Sequence, residues 1–140
     1  FAIGEALEST AARLAAERIT DDEVQALQEL LDRERALPLE DYARRAELNN
    51  AFHDAVLRAA RAPRLVQMVE GFREFFLQES QLPRYGKRHT GTALRHHQDI
   101  VDALRDRDGK RAEKVVRIHL RHSMARMSER PARRSFSFTL

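Results

Sequence analysis

Cysteine and tryptophan are absent from the 140 residues. Without thiols there is no disulfide framework, and thiolate metal centres are excluded. Any bound metal must rest on imidazole, carboxylate, amide or water. Glycine (5) and proline (4) are scarce, and no alternating run of β-branched residues is long enough for a strand. No apolar run approaches the ~20 residues that cross a bilayer, and the start lacks the apolar core of a signal peptide. No membrane role is expected, and a cytoplasmic location fits. A large excess of one charge sign is also missing: 25 Lys and Arg stand against 22 Asp and Glu, a net charge of +3. Part of that excess sits in "RPARRSFSFTL" at the C-terminus. Elsewhere the signs interleave, as in "DDEVQALQELLDRER", the pattern of a solvated helix face. The charge balance gives no nucleic-acid interface. The first residue is Phe1 rather than Met, which suggests a piece of a longer product.

What remains is apolar residues at helical spacing, 42% of the chain being hydrophobic. A first helix is predicted over Ile3 to Arg18, with Ile3, Leu7, Ala11, Leu14 and Ala15 on one face. In "TDDE", Thr20 caps a second helix while Glu23 reaches back to it, a capping box. Val24, Leu27, Leu30 and Leu31 form its stripe, and Pro38 ends it near Ala36. A third helix covers Leu39 to Ala60. Pro63 suits the first turn of a fourth, which carries Leu65, Met68, Val69, Phe72, Phe75 and Phe76. Residues 79–90 read as a loop, followed by a fifth helix over Gly91 to Arg105, a turn at "DRDG", and a sixth over Lys110 to Met127. The expectation is an all-α antiparallel bundle of residues 1–128, with residues 129–140 as a basic, flexible tail.

Six histidines are present: 53, 89, 96, 97, 119 and 122. In "LNNAFHDAVL", Asn49 and His53 stand at i, i+4 on a face shared with Tyr42, Ala46 and Val56, taken as the inward side. His97 is in line with Leu94, Ile100, Val101 and Leu104. His119 follows Ala112, Val115 and Val116. His96 is rotated by about 100° from His97 on its helix. Three helices thus project an imidazole toward one interior, as bundle-core metal sites require. Neutral imidazole suits Zn²⁺, Ni²⁺, Cu²⁺ or Fe²⁺. The bland alternative is core histidines satisfied by hydrogen bonds. His122, one turn beyond His119, could replace it.

The segments "LESTAARLAAERITDDEVQALQELL", "NNAFHDAVLRAA" and "HHQDIVDALRDRDGKRAEKVVRIHL" together resemble the ligand-binding (FCD) domain of FadR-type regulators in the GntR superfamily, from about Ala6 to Met127. That resemblance implies a bundle of six to seven helices that forms a homodimer. It also implies an N-terminal winged-helix domain, absent from these residues, through which operator DNA would be bound. In the metal-binding branch the ligands fall here on Asn49, His53, His97 and His119. Asn49 stands where those members usually carry Asp, so a divalent transition metal, zinc or nickel first, is expected to be held weakly or lost. The arginine that many members place on the first helix is replaced here by Gly4. Arg73 on the fourth helix is the cation expected to substitute for it, and Arg73 and His122 are the residues expected to bind an effector.

The function expected is effector sensing: a small carboxylate binds through the metal and shifts the dimer that controls DNA binding. Two alternatives stand beside it, a metal-free dimerisation module with core histidines and a metal-dependent hydrolase. The hydrolase lacks a dedicated base, since Asp54 and Asp99 lie off the inner stripe.

Overall fold

Among the described residues six helices follow one another: α1 (Ala2–Arg18), α2 (Asp21–Ala36), α3 (Tyr42–Ala59), α4 (Pro63–Leu77), α5 (Lys87–Arg105) and α6 (Gly109–Ser128). The computed structural model describes residues 1–77 and 87–128, the side chains of 74–77 and 126–128 excepted. The side chains of Phe75 and Phe76 are therefore not described, and the expected tail at 129–140 and most of the expected loop lie outside the described residues. Four residues given to that loop, 87–90, instead form the first turn of α5. Lys and Arg are good helix formers, and this turn lacks the apolar periodicity that would have marked it.

α1 lies at the centre and packs against α3, α4, α5 and α6. Its inner face is small: Ala11, Ala12, Ala15 and Ala16 are buried, which lets neighbouring backbones come close. One close approach is at the start of α6. A Cβ at Gly109 would stand 3.0 Å from Cγ of Arg13 and 3.2 Å from its carbonyl oxygen, so glycine is the residue that fits. Around α1, the core is filled by Leu27 and Leu31 of α2, Phe52 and Leu57 of α3, Val69 of α4, and Ile100, Val101 and Leu104 of α5. Each such side chain contributes roughly 1.5–3 kcal/mol by leaving water.

The helix ends are chemically defined. Thr20 Oγ1 accepts from the Glu23 N–H (3.2 Å) while Glu23 Oε2 accepts from the Thr20 N–H (2.8 Å), which is the capping box expected from "TDDE". Asp41 Oδ1 accepts from the Arg44 N–H, so α3 begins at Tyr42 rather than Leu39. Tyr42, expected on the inward face, sits in this exposed first turn. α5 ends in a tight turn in which Arg107 takes a positive φ of 56° and the Asp108 N–H returns to the Ala103 carbonyl. The Arg107 guanidinium then donates to the Ile19 carbonyl and to Asp21, tying this turn to the α1–α2 corner.

Ion pairs secure α1 against α6. Glu5 is buried and accepts from Arg117 (3.2 Å) and from Arg121 (2.8 and 2.9 Å). The Arg121 guanidinium above all holds the Glu5 carboxyl below its usual range. These contacts fix the side of α6 next to α1, and hence the direction in which His119 projects.

Candidate metal centre

α3, α5 and α6 each bring one imidazole to a common point: His53, His97 and His119. Their nearest ring nitrogens all lie within 4.8 Å of one another. Ring centroids are 5.1 Å apart for His53 and His97, 5.0 Å for His53 and His119, and 4.6 Å for His97 and His119. Phe52, next to His53 in sequence but turned to the core, stacks on His97 at 4.5 Å with an interplanar angle of 23°. That stacking holds the His97 ring from one face. His97 is 0% exposed and His119 4%, while His53 is half-buried and faces the outside of the group.

Both nitrogens of His97 and Nδ1 of His119 are buried without a hydrogen-bond partner. An unsatisfied buried polar atom costs about 1–3 kcal/mol, so three in one place call for a ligand. Burial pushes His53 well below its ordinary 6.5, with the neighbouring His119 and His97 adding to the effect. His119 is lowered in the same way, first by burial and then by His97 and His96. The protonated forms are disfavoured, and the neutral imidazole is the form that coordinates a metal. A set of nitrogen donors with no thiolate fits a borderline ion such as Zn²⁺ or Ni²⁺.

Asn49 is half-buried one turn before His53 on α3. The other three histidines continue outward from His119. His96 lies 5.9 Å from His119 and 5.3 Å from His122, and His89 lies 5.8 Å from His122, all between ring centroids. His122 therefore belongs with His96 and His89 and does not take the place of His119. His96 is half-buried despite its rotation from His97, because α6 packs along that flank.

Beside His53 a partly open cleft is lined by Glu8, Phe52, His53, Arg73, Ile100 and Val116, among others. Arg73 projects from α4 into it and donates to Glu8 and Asp54, each at 2.9 Å. Asp54 is thus a partner of Arg73. His122 does not line the cleft.

Sequence reasoning missed two carboxylates. Glu8 holds Arg73 from α1. Glu34 is buried, with Oε2 3.8 Å from His97 Nδ1 and Oε1 3.7 Å from Arg45. A signal for Glu34 was present, since it continues the Val24, Leu27, Leu31 stripe of α2 into the core.

A model of the FCD domain matches residues 1–122. The chain belongs to the FCD family. FCD domains are the ligand-sensing domains of GntR-type regulators, which points this chain to sensing rather than catalysis. The FCD fold here is similar to that of E. coli McbR/YncC, with a TM-score of 0.76 over 91% of this chain at 21% identity. The match takes in 65% of that chain's length. No curated protein matches this FCD domain in sequence. No helix among the described residues is long and apolar enough to cross a membrane.

Proposed function

We propose that this domain senses a small carboxylate metabolite by way of a divalent metal held by Asn49, His53, His97 and His119. It would do so as part of a FadR-type homodimeric regulator whose operator contacts lie in a separate DNA-binding domain. The observation that carries this reading is the meeting of His53, His97 and His119, with three unpartnered buried nitrogens, beside a cleft that also receives Arg73. A bound divalent cation supplies the charge that draws a carboxylate out of water, an attraction strengthened where solvent is excluded.

The chain's own groups do the rest. Ile100, Val56 and Val116 give the cleft apolar walls. Arg73 is the cation on the side facing α4, and its two partners differ in exposure. The Glu8 side chain is 18% exposed and the Asp54 side chain 50%. An incoming carboxylate would displace Asp54, the partner that water can take over, and keep Glu8 as the fixed anchor. Effector bound between His53 and Arg73 then ties α3 to α4. Regulation follows only if one dimer arrangement offers the effector a better fit than the other, because equal affinity shifts nothing.

Calorimetric titration with a panel of hydroxy acids, sugar acids and dicarboxylates tests this. The metal-loaded domain should bind at least one member, with roughly 10-fold or greater loss in His97→Ala, about 1.4 kcal/mol or more. Unchanged affinity after chelator treatment, or no binding across the panel, would contradict it.

A further inference from the structure

We propose that Glu34 is the positioning carboxylate of the histidine centre. It fixes His97 as the Nδ1–H tautomer, turns Nε2 toward His53 and His119, and places behind the ligand the negative charge that Asn49 does not bring. This inference rests on the reading that the three histidines hold a divalent ion.

Geometry supports it from both ends. Glu34 comes from α2 and His97 from α5, two helices packed against each other. Oε2 of Glu34 lies 3.8 Å from Nδ1 of His97, and that nitrogen has no other partner. A formed N–H···O bond needs about 2.7–3.2 Å, so a contraction of less than about 1 Å completes it. The two nitrogens of an imidazole diverge, so Nδ1 aimed at Glu34 leaves Nε2 as the ligand atom. Phe52, stacked on the ring face, leaves in-plane rotation as the easier adjustment.

The far side of the carboxylate is also held. Arg45 reaches Oε1 of Glu34 at 3.7 Å. Its guanidinium donates to the carbonyls of Glu34 (3.2 Å), Leu37 (3.1 Å) and Pro38 (3.2 Å), which anchors it to the end of α2. Oε1 is thereby engaged from α3, and Oε2 is left for His97. A buried glutamate with one oxygen clamped and the other facing an unpartnered imidazole matches the carboxylate–histidine pairing that orients metal ligands and raises their basicity. A ligand set of one amide and three neutral imidazoles carries no charge, so a nearby carboxylate has more to contribute here than beside an aspartate ligand.

The test uses Glu34→Gln, which removes the charge but keeps an acceptor, and Glu34→Met, which removes both. Zinc affinity is measured by competition with a chromophoric chelator. The imidazole tautomers of the metal-free protein are read from long-range ¹H–¹⁵N spectra. Expected are about 10-fold weaker zinc binding in Glu34→Gln and about 100-fold in Glu34→Met. His97 should be the Nδ1–H form in the wild type and lose that form in Glu34→Met. Wild-type zinc affinity in both variants, with an unchanged His97 tautomer, would overturn the role of Glu34. If the wild type takes up no zinc, the metal reading fails. The tautomer of His97 in the metal-free protein then still decides whether Glu34 positions it, and an Nε2–H form in the wild type would overturn the proposal even if Glu34→Met does not fold.

Discussion

His53 and His119 bind protons less readily in the folded chain than in the unfolded one, because burial among other imidazoles penalises a charge there. Unfolded histidine titrates near 6.5, so between that value and the lower folded values the unfolded state carries more protons. Stability from these residues is therefore fully present above about pH 6.5 and is lost as the pH falls through the folded range. The urea midpoint of the metal-free domain should drop between pH 7.5 and 5, and drop less in a His53→Gln, His119→Gln double variant. Equal pH dependence in the two proteins would contradict the burial argument. At this scale the three histidines were legible because each continued an apolar stripe. Glu34 was harder to see. A carboxylate ending a stripe reads as the edge of a buried face until the packing of α2 on α5 places His97 in front of it. Arg73 was legible as a cation on α4, but its bonds to Glu8 and Asp54 depend on contacts among α1, α3 and α4 that spacing does not encode.

α2, α3 and α6 begin where Thr20, Asp41 and Asp108 supply side-chain acceptors for their first N–H groups, and the start of α2 is the best-defined case. Thr20 and Glu23 satisfy one another's backbone donors, and Glu23 also accepts from Arg61 at 2.8 Å. Thr20→Ala should cost about 1 kcal/mol in urea unfolding, a typical loss for an N-cap. A change below ~0.3 kcal/mol would show that the cap is not limiting. The capping box was readable directly from "TDDE", as were the breaks at Pro38 and Pro63. The start of α5 was not, because residues 87–90 are polar and a helical turn without an apolar face leaves no periodic signal. Nor were the left-handed residues Arg61 and Arg107 legible. In "DRDG" the glycine looks like the residue made for the turn. Instead Gly109 begins α6, where a Cβ would meet Arg13 more tightly than ordinary packing allows.

Taken whole, the bundle gathers its chemistry from helices distant in sequence. The alanine face of α1 draws the others inward, and Glu5 with Arg117 and Arg121 sets α6 against it. The result is a group of three imidazole donors from α3, α5 and α6, beside a cleft that α4 helps to line. Burying three unsatisfied nitrogens of His97 and His119 lowers stability unless something binds them, and a ligand for the folded state alone raises it by mass action. The most direct measurement is a zinc or nickel titration of the chelator-stripped domain, followed by chelator competition and by thermal unfolding. Saturation at a single ion per chain with a rise in Tm is expected, both lost in His97→Ala and His119→Ala. No uptake by the wild type, or the same saturation and Tm rise in those variants, would contradict it.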